Sequence, residues 1–240
     1  ERISKEVKLA VKVQENFLPK RNLKNYPVHG INIAAREVSG DFFSFYPHND
    51  SIYFIIADVA GKGIHAGMVM AKASTLFEVL SQSKLDPDEM AFHMNNDLNQ
   101  TKTSGMFVTS IVGEYNLITD EIRWVNAGHQ PAVLRDANGK YSQFESSAPP
   151  LGVIKQREKS IYITNKTKLN GSRFYAFTDG LSESLDDKGD EIGIEGSIEI
   201  IEENFNTDTS KQLDKITKTI MDISQSRNLS DDLTLISIGK

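Results

Sequence analysis

The sequence predicts an α+β fold, in which helices cover antiparallel β structure. Three observations carry that prediction. The central third reads as a meander of short strands joined by tight turns, with Thr119–Asp120 and the DANGK stretch at 136–140 as turn signals. Two helical stretches follow one another after two strands, instead of alternating with them as a parallel α/β sheet would require. Finally, the 240 residues contain no repeat and are 39% hydrophobic and 25% charged, which suits one compact domain with a substantial core.

Residues 3–18 lack Gly and Pro and place Ile3, Val7, Ala10, Gln14 and Phe17 on one face before Pro19, so they predict a helix. The division expected is an N-terminal linker helix over 1–20 and a single domain over 21–240. The linker could serve as a homodimer contact or carry a signal. Two heptads are too few to define a coiled coil, and packing on the domain's own core is the equal alternative.

INIAAREV (31–38) and SIYFIIAD (51–58) read as strands, the second so continuously apolar that both its faces should be buried. After the Gly61 and Gly63 turn, residues 64–83 read as a helix. Residues 87–101 read as another, capped by Asp86 with Pro87 in its first turn. MFVTSIVGEYNL, EIRWVNAG, PAVLRD and YSQFE form the meander, and SAPPLG connects it onward. SIYITN (160–165) and RFYAFTD (173–179) are two further strands. DDKGDEIG (186–193) reads as a solvated loop, 208–226 as a helix and LTLISI (233–238) as a strand.

Composition narrows function. A net charge of −6 without a basic cluster argues against nucleic acid, whose binding rests on releasing counterions from phosphates. With no cysteine, disulfides, thiolate metal sites and a cysteine nucleophile are all excluded. No apolar run is long enough to span a bilayer and no leader is evident, so a cytoplasmic location is expected. The chain opens on Glu1 and not methionine, which suggests a piece of a longer protein with a sensing segment, or a membrane anchor, upstream.

Four aspartate motifs stand at the edges of apolar runs: Asp41 in VSGDFF, Asp58 in YFIIADVAGKG, Asp179 in FYAFTDG, and Asp231 with Asp232 in SDDLTLISI. Carboxylates are costly to desolvate and repel one another, so several at strand ends call for a hard divalent cation. Any one of them alone could equally be a turn or helix cap. Asp58 and Asp179 are the strongest pair, since each ends a strand and precedes a glycine turn where a backbone carbonyl could join a coordination shell.

Other motifs fail on spacing. GKG at 61–63 lacks the Walker pattern, because Ile64 follows and not Ser or Thr, and DVAG without a Walker loop does not make a GTPase. Lys62 reads as a solvated loop lysine, with a part in holding an anionic substrate as the alternative. No Gly-x-Ser-x-Gly elbow marks a serine nucleophile. His129 in NAGHQP reads as a turn histidine held by local hydrogen bonds, while His65, close to Asp58 in sequence, is the acid–base alternative.

Taken in order, VQENFLP (13–19), SGDFF (39–43), DVAGKGIHAGMVMA (58–71), FVT (107–109), NAGHQP (126–131), PLG (150–152), TDGLSE (178–183) and DDLT (231–234) resemble the metal-dependent, PPM-type protein serine/threonine phosphatases, in their bacterial SpoIIE/RsbU-like branch. The resemblance spans nearly the whole chain. It implies an αββα sandwich of two mainly antiparallel sheets flanked by helices, with two Mn²⁺ or Mg²⁺ ions at one edge. The ligands it implies are Asp41, Asp58, the Val59 carbonyl, Asp179 and, of the last acidic pair, Asp231 in preference to Asp232. Glu183 would support the site. Two positions depart from the family pattern: Ser44 stands where many relatives carry a second aspartate, and Ala60 where eukaryotic members carry a histidine.

The implied activity is hydrolysis of phosphoserine or phosphothreonine on a protein by metal-activated water, with Asp58 and Asp179 central to catalysis. The implied substrate is a phosphorylated STAS-type anti-sigma-factor antagonist in a partner-switching stress pathway. Ser44 keeps a second class open, an inactive phosphatase that binds a phosphoprotein as a regulatory module. A metal-dependent hydrolase of small phosphate esters is a third.

Overall fold

The computed structural model describes residues 11, 23, 25–35, 38–100, 105–186, 188–206, 208–223, 229 and 231–239. The linker helix expected over 1–20, Val11 apart, lies outside the described residues.

Among the described residues, ten strands form two five-stranded sheets, and all their pairings are antiparallel. One sheet has the order β2 (Phe42–His48), β3 (Ser51–Val59), β4 (Val108–Asn116), β5 (Glu121–Ala127), β8 (Asn165–Lys168). The other has the order β1 (Val28–Ile33), β10 (Leu233–Ile238), β9 (Arg173–Phe177), β6 (Ala132–Arg135), β7 (Tyr141–Phe144). Helices α1 (Ile64–Ser81) and α2 (Pro87–Gln100) cover the first sheet. A single turn, α3 (Asp179–Ser182), precedes α4 (Gly193–Glu203) and α5 (Thr209–Ile223), and these last two cover the second sheet.

Alternation along the strands builds three apolar layers. On β3, Tyr53, Ile55, Ala57 and Val59 pack toward α1 and α2 with Met70, Phe77 and Met94. Ile52, Phe54 and Ile56 point the other way, into the layer between the sheets with Trp124, Phe174 and Ile236. Tyr175, Phe177 and Leu235 meet Ile201, Leu213 and Ile216 beneath α4 and α5. The double burial expected of SIYFIIAD is therefore present, and the architecture is an αββα sandwich.

The two helices after β3 fall within two residues of their expected ends, and Met90 N–H donates to the Asp86 carbonyl (2.9 Å) where a helix begins. Three elements differ from the sequence reading. SIYITN is not a strand: its first residues form a 3₁₀ turn (Lys159–Ile161), and pairing with β5 begins only at Asn165. INIAAREV pairs only to Ile33, with β1 starting earlier, at Val28. Residues 193–203, unassigned from sequence, form α4, with Ile198 and Ile201 buried beside Leu213 of α5.

Candidate metal and phosphoryl-transfer site

Antiparallel pairing brings the start of β2 beside the end of β3 in one sheet, and the end of β9 beside the start of β10 in the other. Asp41, Asp58, Asp179, Asp231 and Asp232 all flank those four strand ends. Alternation then decides which way each side chain points. Asp41 is in phase with Phe43 and Phe45, Asp58 with Phe54 and Ile56, Thr178 with Phe174 and Ala176, and Thr234 with Ile236 and Ile238; all those apolar partners belong to the inter-sheet layer. The apolar layer thus ends, at one edge of the sandwich, in a polar cluster drawn from both sheets.

Asp41 is the innermost member, 2% exposed. Its Oδ2 accepts hydrogen bonds from Thr178 Oγ1 (2.6 Å) and Thr234 Oγ1 (2.9 Å). Thr234 N–H donates in turn to Thr178 Oγ1 (2.9 Å), and Asn32 Nδ2 to Thr234 Oγ1 (2.7 Å), so the hydroxyls are held in place. Burial drives the Asp41 carboxyl well above the usual carboxylate range; the Asp58 charge adds to the rise and the two threonines oppose it. Asp58 is raised by burial too, opposed by a side-chain hydrogen bond with Asp41 and reinforced by the charges of Asp231 and Asp232. Asp179 is pushed up to about 7 by burial, then by Asp58, Glu183 and Asp231.

The last acidic pair divides. Asp232 Oδ1 accepts from Ala35 N–H (2.8 Å) and Oδ2 from Gly40 N–H (2.9 Å), so both oxygens anchor the segment between β1 and β2. Asp231 Oδ2 instead meets Lys62 Nζ at 2.6 Å, which ties β10's approach to the GKG turn. Lys62 is thus paired with an acidic member of the cluster and not merely solvated. Thr178, Thr234 and Asn32 were missed from sequence. A threonine beside each of two aspartate motifs, TD and DDLT, was the available signal.

Two glycines set the close approaches. A Cβ on Gly180 would stand 2.0 Å from the Asp232 carbonyl oxygen, so only glycine lets the turn after Asp179 pack against β10's approach. A Cβ on Gly40 would stand 3.1 Å from the Val59 carbonyl oxygen, so the glycine keeps the space beside that carbonyl clear.

His129 is buried, and burial lowers its pKa to about 4, leaving it neutral at physiological pH. Its N–H donates to Asn126 Oδ1 (2.9 Å), and its Nδ1 pairs with Thr109 Oγ1 (2.9 Å), which is the local holding expected of NAGHQP. His65 is exposed in the first turn of α1. Ser44 lies on β2 opposite Ile55.

Among the described residues, no group of three or more acidic or histidine side chains is already closed into a metal cage. The donor set nevertheless suits a hard cation: the Asp58 charge raises the proton affinity of both Asp41 and Asp179, every candidate donor is oxygen, and a glycine clears the Val59 carbonyl.

The family model for Stage II sporulation protein E (SpoIIE) matches residues 48–239. The phosphoserine phosphatase RsbU of Bacillus subtilis (strain 168) is 24% identical over 241 residues, covering 99% of this chain and 71% of RsbU. The chain spans less than half, 40% and 45%, of two other curated relatives. Among solved structures, the SiaA-PP2C domain of Pseudomonas aeruginosa superposes with a TM-score of 0.87 at 15% identity, covering 100% of this chain and 97% of that one. RsbX in complex with magnesium superposes with a TM-score of 0.64 at 18% identity, covering 90% and 96%.

Proposed function

The chain belongs to the SpoIIE family, and from that premise we propose that it is a protein phosphatase that hydrolyses phosphoserine or phosphothreonine on a partner protein. The observation that carries this reading is the gathering of Asp41, Asp58, Asp179 and Asp231 from both sheets at one edge of the sandwich. A relative that is itself a phosphoserine phosphatase supports the substrate class. A phosphorylated STAS-domain protein in a partner-switching pathway is the proposed substrate.

Asp41, Asp58, Asp179, Asp231 and the Val59 carbonyl are the proposed ligands of two Mn²⁺ or Mg²⁺ ions. The magnesium complex of RsbX, a structure of the same fold, supports the choice of metal. When bound, the ions would supply the positive charge that activates a water and neutralises the phosphoryl oxygens. The chain's own groups do the rest. Thr178 and Thr234 orient Asp41 through its Oδ2. Asp232 holds the segment that presents Gly40 and Asp41. Both Asp232 oxygens are held by backbone N–H groups of the segment between β1 and β2, whereas Asp231 Oδ2 meets only the side chain of Lys62 across the GKG turn, which supports Asp231 as the ligand of the pair. His129 is neutral and buried, which removes it as a proton donor to a leaving group. His65 is exposed, and it or water would fill that role.

The linker helix over residues 1–20 is proposed to join the domain over 21–240 to a regulatory segment, or to pair two copies. No helix among the described residues is long and apolar enough to cross a membrane, and a cytoplasmic site of action is proposed.

The test is phosphate release from a phosphorylated STAS-domain protein, with and without Mn²⁺, using Asp179→Asn and Asp58→Asn as controls. Turnover should require the metal and vanish in both variants while their circular dichroism stays native. Activity surviving in either variant would refute the assignment. A protein that binds the phosphorylated partner but releases no phosphate, even from an aryl phosphate, would be a binding module instead.

A further inference from the structure

Among the described residues, the GKG turn between β3 and α1 brings the one basic side chain named among the leading charges on the aspartate cluster. Lys62 Nζ stands 2.6 Å from Asp231 Oδ2, with the two side chains 46% and 31% exposed. The same ammonium favours the ionised form of Asp58. The other leading charges on Asp41, Asp58 and Asp179 are all carboxylates. The glycines on either side, Gly61 and Gly63, have φ of 114° and 76°, a backbone region that other residues rarely enter. A Cβ at Gly63 would meet nothing within 4 Å, so the turn is open on that side.

We propose that Lys62 is a tethered counter-ion: its ammonium occupies the Asp231 side of the cluster when no divalent cation is bound, and a cation must displace it to bind there. The proposal rests on the reading of Asp231 as a metal ligand. An ammonium is a single charge with three donors, whereas a hard dication draws several oxygens into one shell. The dication therefore wins once its concentration suffices. Displacement raises the cation concentration that the site needs, which makes Lys62 a setting for metal affinity and not only a surface charge.

Calorimetry with Mn²⁺ on the full chain tests this, using Lys62→Met, Lys62→Arg and Asp231→Asn. Lys62→Met should bind Mn²⁺ about two- to fivefold more tightly at low ionic strength, as expected from losing one competing exposed ion pair. The gain should fade in about 1 M salt, where the screening length falls to about 3 Å. Lys62→Arg, which keeps the charge, should stay near wild type. Unchanged or weaker binding by Lys62→Met, with Asp231→Asn weakened, would overturn the counter-ion role alone. If Asp231→Asn bound Mn²⁺ like wild type, the ligand assignment would fall and this proposal with it.

Discussion

Asp231 and Asp232 are adjacent and chemically identical, yet their surroundings differ. Asp232 accepts two backbone N–H groups, from Ala35 and Gly40. Asp232→Ala should therefore cost about 2–4 kcal/mol, because two donors lose their charged acceptor. A lowered urea midpoint would show it. Asp231→Asn removes an exposed ion pair with Lys62 and relieves repulsion on Asp58 and Asp179, while an amide oxygen can still accept the Asp232 N–H, so its stability should change by less than about 1 kcal/mol while Mn²⁺ affinity falls. A result in which both variants lose stability equally would sink this division. Thr178 Oγ1 donates to Asp41 Oδ2, with a longer bond to the Asp232 carbonyl (3.4 Å), and accepts from Thr234 N–H. Thr178→Val should cost about 1–3 kcal/mol and weaken Mn²⁺ binding as well, measured by melting and calorimetry on one preparation. The resemblance alone favoured Asp231 as the ligand; the anchoring bonds of Asp232 were not legible in the sequence, where the pair reads as DD. They are created by a segment nearly two hundred positions away whose N–H groups find one carboxylate and not the other.

At the scale of elements, the turn after β9 fits only because residue 180 has no side chain. Gly180→Ala would drive a methyl into the Asp232 carbonyl and should displace Asp179 or β10's approach. Loss of about 1–3 kcal/mol and of Mn²⁺-dependent turnover together is expected; a fully active, stable variant would show that the contact relaxes freely. The elements that position the site were largely readable. SIYFIIAD is apolar at both parities, which only a doubly covered strand tolerates, and the strand-end aspartates follow from where such runs stop. NAGHQP was readable as a fixed turn, and in the structure this turn carries the chain from β5 in one sheet to β6 in the other. Gly128, with φ of 70° and the Pro150 ring filling the place of its side chain, closes that passage. Two elements were not readable. GSIEIIEE alternates like a strand and becomes helical because α5 offers Ile198 and Ile201 an apolar face. SIYITN is rich in strand formers, yet Tyr162 is buried in the layer beneath α1 and α2, and the backbone turns to put it there. In both cases a tertiary partner overrode the local preference.

For the molecule as a whole, the cluster ties stability to pH and to metal. Asp41, Asp58 and Asp179 hold their protons more tightly in the folded, metal-free protein than in the unfolded chain. Their contribution is fully present below about pH 4, the unfolded carboxylate value, and is lost as pH rises through the folded values, which for Asp179 means about 7. Mn²⁺ should remove that loss, so the gap between melting temperatures with metal and with chelator should widen from about pH 5 to about pH 8. A constant gap would contradict the reading. The pairing of β10 has a bearing on synthesis. That strand lies between β1 and β9, with Ile238 opposite Val28, so residues from distant parts of the chain complete one sheet. A ribosome must release residues 231–238 before Asp41 can receive its Thr234 bond or Lys62 its partner. Every growing chain shorter than that carries an unclosed sheet and no assembled site. The site proposed here would thus be assembled only once its last strand has been made, and no nascent fragment lacking β10 could act on a phosphoprotein ahead of time.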